Sequence, residues 1–498
     1  MSAIPFTYIR SLYIGGKYQR PLNDVFENVD NPATEEIIGE APVAGLADAS
    51  AAIAAAREAF DNGPWPRMTM KERCEIMLRF RDALLRHEQE IRALLLAEVG
   101  STHLLLNGPQ FSGVIQAIER CVELAERIKP EPTDVVVTPS VIDPSGAGTL
   151  GGGVTYRDPY GVVAGISPYN FPLLVSMTKI APALVVGNCM VLKPSPFTPF
   201  STLMLGTIAD EAGLPPGVLN IITGGAEVGG LMCSDPRVDL VSFTGSDAVG
   251  KAVAAQSAQS LKQVHLELGG KSALIVREDA DVSGAAALAS YGFTVHSGQG
   301  CAILSRFIVH NSIRKDFVEA MQGVLAHIKV GDPAEPDTFM GPLISAAARE
   351  KTESFVDRGQ SGGAKMVYGG KRPPHLKRGY FFEPTVFDDV DNRSALAQQE
   401  VFGPVGVVIG YDDDDQAIAL ANDSPFGLSG GIQSRDKVRA FEMARQLRTG
   451  DVRINGGTGG LYLPGPFGGY KHSGVGREFG PDWLDTYLLK KSIQYPVG

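Results

Sequence analysis

Apolar positions change period along the chain in a way that separates helices from strands. In LADASAAIAAAREAF (46–60), Ile53, Ala56 and Phe60 fall at i, i+3 and i+7, the stripe of an amphipathic helix. The helical pattern resumes over 70–99 and reads as one long helix. Near Asp134 the texture changes to VVVTPSV, a Gly-rich turn (146–153) and VTYRDPYG, which read as two strands reaching away from the surrounding helices. From Gly161 short apolar runs alternate with helical ones: GVVAGI, a helix from about Val175, CMVLKP, a helix over 202–212, LNIITGG, a short helix, and DLVSFTG. Parallel strands covered on both faces show such unbroken apolar runs, so the rhythm predicts a doubly wound parallel sheet of the α/β class. A second series begins after Gly269 with SALIV and continues through SRFIVH, FFEPTVF and EVFGPVGVVIGY, placing a domain boundary at 268–270. The last strand-like segment, LLKKSIQYPV, can pair with the 134–158 arm or with a neighbouring subunit.

At 498 residues the chain exceeds one ordinary core, and two or three domains are expected. A net charge of −11 argues against a nucleic-acid surface, which shows clustered Lys and Arg. The N-terminal MSAIPFTYIRSLYIGG lacks a basic region followed by an apolar core, so no signal peptide is expected. The most apolar stretch, 173–192, carries Lys179, Pro182 and Asn188 and reads as a buried strand–helix segment, not a membrane span. Five cysteines (74, 121, 189, 233 and 301) form no CxxC pair. That odd set argues against a disulfide framework or a metal knuckle and points to a reducing cytoplasm.

No GxGxxG stands in a strand-to-helix turn, and GGKS at 269–272 fails as a P-loop because its first glycine would fall at His265. The better nucleotide candidate is VDLVSFTGSDAVGK (238–251), an apolar strand running through Gly245 and Ser246 into a helix. A helix N-terminus offers free N–H groups to a pyrophosphate; from this stretch alone Ser246 is equally a helix cap or a phosphate contact. Thr223-Gly224-Gly225 offers a second close-approach turn, and Lys193 ends the VLKP strand where α/β ligands gather, though a lysine by itself is an ordinary surface residue.

SGQGCAIL (297–304) sets Cys301 among small residues. The glycines permit close approach of backbone and substrate, yet the run alone fits a buried structural cysteine at least as well as a nucleophile. His296 invites a Cys–His hydrolase reading, but an offset of five does not align the two side chains on a helix.

GISPYNFP, VLKPSPFTP, FTGS, LELGGKS, GQGC, EVFGPV and PFGGYKHSGVGREFG occur in the order and spacing of the aldehyde dehydrogenase superfamily. The chain resembles that family over essentially its whole length. The resemblance implies two doubly wound parallel-sheet domains plus a small β oligomerisation arm. Residues 1–133 and 159–268 would bind dinucleotide, 269–479 would form the catalytic domain, and 134–158 with 480–498 the arm of a homodimer or homotetramer. It also implies Cys301 as nucleophile, Asn170 as oxyanion donor together with the Cys301 backbone N–H, and Glu267 as general base for the deacylating water. Relatives that pass the acyl group to coenzyme A generally lack this glutamate, so release of the free acid is expected. For the cofactor, NAD with NADP tolerated, the resemblance implies Lys193 and Ser195 near the adenine ribose. It places Ser246 near the pyrophosphate and Glu400, with Phe402 close by, near the nicotinamide ribose; Gly225, Gly245 and Gly269 are further cofactor-binding candidates.

Two positions depart from the family pattern. KPSPFTP carries Pro196 where many NAD-selective members have a glutamate that grips the ribose hydroxyls; proline neither accepts those bonds nor repels a 2′-phosphate. Tyr169 stands where tryptophan is more common, a change expected to leave the mechanism intact. Val175, Thr178, Ala302, Leu461, Tyr462, Leu463 and Phe467 match the walls of the family's entrance tunnel, are mostly apolar and include no arginine. A medium-chain aliphatic or aromatic aldehyde is therefore expected. A semialdehyde substrate, a cysteine hydrolase or esterase activity on the same site, and a non-enzymatic crystallin-like role are the alternatives.

Overall fold

Four short apolar runs and the more polar Gln263–Glu267 become the centre of the first sheet. In the computed structural model, which describes residues 10–142, 145–146 and 148–497, Val162–Ile166, Cys189–Lys193, Leu219–Ile221, Leu240–Thr244 and Gln263–Glu267 run parallel. Val162–Ile166 and Cys189–Lys193 are buried at every position, as expected of strands covered on both faces. In space the third, second and first of these strands are followed by the fourth and fifth, so the winding reverses between Val162–Ile166 and Leu240–Thr244. The carboxyl ends at such a reversal open a crevice for ligands. Leu12–Ile14 and Lys17–Gln19 extend one edge. On the other edge Gly474–Val475 pairs with Leu266 and Glu267, so this late segment joins the first sheet although it lies beyond the 268–270 boundary.

The second sheet follows the order Lys365–Tyr368, Thr385–Asp388, Val405–Tyr411, Leu304–His310, Ser272–Val276, Ser429–Gln433, Asp451–Ile454, all parallel except the first pair. The arm is a separate sheet in which Leu488–Pro496 lies antiparallel along Thr149–Pro159, with Glu131–Pro132 and Val136–Thr138 on the far side.

Several element boundaries depart from the pattern. The 70–99 helix is two, Met70–Arg86 and Glu88–Val99, because His87 leaves the helical conformation at ψ 14°. The first of these starts in a capping box, where Thr69 and Glu72 exchange side-chain and backbone hydrogen bonds. The 202–212 helix splits at Met204 into Phe200–Leu203 and Leu205–Ala212. The 175 helix begins earlier, at Pro172, where a missing N–H costs nothing. Residues 149–153 of the expected glycine turn lie in the arm strand, Ala147 of that turn lies outside the described residues, and so does most of the N-terminal signal-peptide candidate. Among the described residues no helix is long and apolar enough to cross a membrane.

Candidate functional site

The site forms where the carboxyl ends of the first sheet face the amino ends of the second. Asn170 follows strand Val162–Ile166 and Glu267 is the last residue of Gln263–Glu267. Cys301 precedes strand Leu304–His310, and Glu400 precedes Val405–Tyr411. A Cβ on Gly270 would lie 2.7 Å from the Cys301 carbonyl, so the link between the sheets passes directly under the cysteine loop.

All five cysteines are unpaired; four are buried and Cys301 alone is half-buried. The loop leading to it is forced: His296 (φ 53°), Ser297 (φ 54°) and Gly298 (φ 73°) are all left-handed, and a Cβ on Gly298 would collide with the Gly403 carbonyl. Side-chain bonds compensate, with Ser297 Oγ donating to Gly341 O at 2.5 Å and Ile344 N donating to Gln299 Oε1 at 2.9 Å. Burial, followed by the charges of Glu267, Glu400 and Glu478, pushes the thiol up to about 12. That direction favours the thiol over the thiolate at rest.

Asn170 is held from three sides. Its carbonyl accepts from Gln110 Nε2 at 2.8 Å and His296 Nε2 at 2.7 Å, and its Nδ2 donates to Gln299 O at 2.8 Å. An amide nitrogen carries two hydrogens, so one remains for an oxygen on the substrate side. The same contact fixes the proton on His296 Nε2, because a nitrogen facing a carbonyl must carry it, so that nitrogen is not a base. Burial also takes the imidazole down to about 4.

Glu267 is buried, and neither carboxylate oxygen has a hydrogen-bond partner among the described residues. Burial first, then the charge of Glu478, holds its pKa well above the usual carboxylate range, against the opposing pull of Lys179 and Arg477. In the sequence, Lys179 and Glu478 are legible only as an interruption of an apolar run and as part of GREFG. In the fold, Lys179 Nζ donates to Thr244 Oγ1 at 2.7 Å and Glu478 Oε1 at 3.3 Å. A lysine in an apolar run demands such a partner, and that is the available signal. Gln110, Gln299 and Lys351, the last a neighbouring cation of Glu400, have no such signal and were not anticipated.

Several residues expected to hold the dinucleotide lie at or just after the carboxyl ends of first-sheet strands. Lys193 is buried, donates to Gly224 O at 2.7 Å and is lowered to about 8 by burial. Gly225 faces open space: a Cβ at this position would meet nothing within 4 Å. Ser246 caps helix Asp247–Ala258 by accepting from Val249 N at 3.4 Å, and Gly245 N donates to Glu267 O. Ser195 Oγ accepts from Phe197 N at 3.3 Å. Glu400 accepts from Gly270 N at 2.9 Å, and its burial raises it to about 6. A Cβ on Gly269 would strike its other oxygen, so only glycine leaves this carboxylate its place. Tyr169 stands edge-on to both Phe197 and Phe402 at 5.9 Å, tying together three loops of the crevice. An open glycine turn, a helix N-terminus and a carboxylate with one free oxygen fit a dinucleotide.

The tunnel positions are distributed differently. Leu461 lies against Gly113, Phe467 packs on Phe479 at 6.3 Å, and a Cβ on Gly468 would come 2.6 Å from Glu267 Oε1. Val175 and Ala302 are half-buried, Leu463 is buried, and Tyr462 is more than half exposed. Thr178 is also buried, and its hydroxyl donates to Val175 O and Glu478 Oε1, so it supports Glu478 instead of presenting a free wall. Among the described residues no group of acidic, histidine and cysteine side chains is arranged to hold a metal.

The aldehyde dehydrogenase family pattern matches residues 23–493, and the chain belongs to that family. It is 38% identical over 485 residues to a geranial dehydrogenase of Castellaniella defragrans, covering 97% of this chain and 98% of the relative. It is 38% identical to betaine aldehyde dehydrogenase 1 of Oryza sativa subsp. japonica over 99% of this chain and 96% of that one. The solved aldehyde dehydrogenase C of Pseudomonas syringae, a cysteine-to-alanine variant complexed with NAD+ and octanal, superimposes with a TM-score of 0.91. It is 33% identical and covers 98% of this chain and 96% of its own. The fold is thus that of the family, as the motifs implied.

Proposed function

We propose that this protein oxidises an apolar aldehyde to the free carboxylic acid, using NAD and tolerating NADP. The observation that carries the reading is the juxtaposition of a half-buried Cys301, a clamped Asn170 amide and an orphaned buried Glu267. The Cys301 thiol proton leaves to solvent as Sγ bonds to the aldehyde carbon, and the carbonyl electron pair moves onto oxygen, where Asn170 Nδ2 and the Cys301 N–H donate to the resulting oxyanion. The chemistry that a bound dinucleotide supplies is hydride acceptance, which leaves a thioester on Cys301. Glu267 takes a proton from water, the water oxygen bonds to the acyl carbon, and the C–S electron pair departs with sulfur. Lys193, Ser195, Ser246, Gly225, Gly245, Gly269, Glu400 and Phe402 would hold the dinucleotide.

Pro196 is exposed and carries no charge against a 2′-phosphate, which supports NADP use. A KM for NADP more than about a thousandfold above that for NAD, roughly 4 kcal/mol, would refute it. The apolar character of Val175, Leu461, Leu463 and Phe467 favours a medium-chain aliphatic or aromatic substrate over a semialdehyde acid. Octanal in one neighbour and geranial in the name of one relative agree with that chemistry, although other relatives are named for betaine aldehyde. Val135, Val136 and Val137 on the arm are each more than half exposed, which supports a homo-oligomer, and five unpaired thiols suit a reducing cytoplasm. The domain limits expected from the motifs form part of this proposal, except that Gly474–Val475 pairs with the first sheet.

The decisive experiment follows absorbance of the reduced nicotinamide with hexanal, benzaldehyde and succinic semialdehyde. Cys301→Ala is expected to be inactive, and its full activity would sink the mechanism. A preference for succinic semialdehyde would overturn the substrate class. Esterase activity without dinucleotide at a comparable rate would favour the hydrolase reading.

A further inference from the structure

His265 and Glu267 alternate along strand Gln263–Glu267 and so share one face of it. His265 Nε2 lies 3.7 Å from Glu267 Oε1. Neither that nitrogen nor either Glu267 oxygen has a hydrogen-bond partner among the described residues, and both side chains are buried. Two adjacent orphaned polar groups out of water are costly unless they meet in some state of the protein. The other ring nitrogen, Nδ1, is 3.3 Å from Ser242 Oγ, which in turn is 3.1 Å from the Tyr487 hydroxyl. The charged and titratable groups around the pair are Lys179 from helix Pro172–Val185, Arg477 and Glu478 from the segment entering strand Glu478–Phe479, Tyr487, and Cys301. Burial and the cations Lys179 and Arg477 keep the imidazole neutral, so it offers one donor and one acceptor.

We propose that His265 is a positioning residue for Glu267: with its Nδ1–H given to Ser242 Oγ, its Nε2 lone pair receives the Glu267 O–H formed when water is deprotonated. This rests on Glu267 being the deacylating base. One water O–H bond breaks, the oxygen bonds to the acyl carbon, and the proton moves to Glu267, which turns it toward Nε2; His265 itself gains no proton. When the C–S bond breaks, the sulfur leaves as thiolate and the Glu267 proton is returned to it or to solvent. A partner for the neutral acid strengthens the carboxylate as a base. The gap of 3.7 Å closes with a small side-chain rotation once a proton is there to share.

Stopped-flow and steady-state measurements on the intact enzyme with hexanal and NAD test this. His265→Phe keeps ring volume and burial but removes the acceptor. The first burst of reduced cofactor is expected within twofold of wild type. Steady-state kcat should fall about fivefold to tenfold, the worth of one hydrogen bond, and the acidic limb of kcat should move to lower pH. His265→Gln, whose amide oxygen can accept, should recover most of the loss. Unchanged kcat and limb in His265→Phe would overturn the proposal, as would a burst that slows in step with kcat. If His265→Phe does not fold, Ser242→Ala carries the same test, since it frees the ring from its tautomer; an unchanged limb there is equally fatal. A wild type with no burst for any aldehyde would instead bring down the reading of the whole site.

Discussion

Glu98 and Glu267 are both carboxylates withdrawn from water, and burial raises the pKa of each, yet their surroundings differ in one respect. Glu98, on helix Glu88–Val99, accepts from Phe200 N at 2.8 Å and Ser201 N at 2.9 Å, capping the short helix Phe200–Leu203. Glu267 accepts from nothing among the described residues. A buried group with both oxygens engaged is part of the scaffold. One left open beside a half-buried thiol has its acceptors free for a reactant, which is why unsatisfied buried groups point to chemistry.

The comparison can be broken most sharply at Glu267. Glu267→Gln is expected to lower kcat by about 10²–10⁴ while preserving the first burst of reduced cofactor and the melting temperature. A melting temperature that falls with kcat would make Glu267 as structural as Glu98. Next comes Lys179→Met, which leaves Glu478 buried without its cation. Loss of one partner from a buried pair should cost about 3–5 kcal/mol in denaturant unfolding. Stability equal to wild type would show that Glu478 does not depend on Lys179. Glu98→Ala should cost about 1–3 kcal/mol by orphaning two N–H groups, with kcat per folded enzyme unchanged. A drop in kcat at full stability would erase the distinction between the two sites.

The smallest effect at any one pH is the titration of Glu98 itself. Its folded pKa, raised from 4.5 to about 7, means the folded state holds a proton that the unfolded chain releases. The stability it contributes is therefore complete below 4.5 and drains away as pH rises through about 7. Thermal unfolding of wild type should lose stability across that window relative to Glu98→Gln, and parallel curves for the two proteins would refute the assignment.

Much of the fold was legible because its signals are local. VVAGI, CMVLK and SALIV are continuous apolar runs, and all become fully buried parallel strands. Boundaries were less legible, because the helical pattern runs through His87 while the backbone does not. Of the candidate site, Cys301, Asn170 and Glu267 stood out through motif resemblance. The groups that hold them did not, for a physical reason. Gln110 reaches Asn170 across 60 residues, and Glu478 meets Lys179 across 299. No period or spacing encodes such distances.

By itself, then, the sequence determined the alternation of strand and helix, the family likeness and which cysteine keeps chemical company, since each depends on neighbours within a few residues or on ordered motifs. Only the tertiary structure decided that Asn170 is clamped by His296 and Gln110, and that Gly474–Val475 closes the first sheet beside Glu267. It also decided that Glu267 and His265 share an unpartnered pocket of buried polar atoms. Those facts depend on which distant segments exclude water from one another, and that is settled only when the two sheets come together.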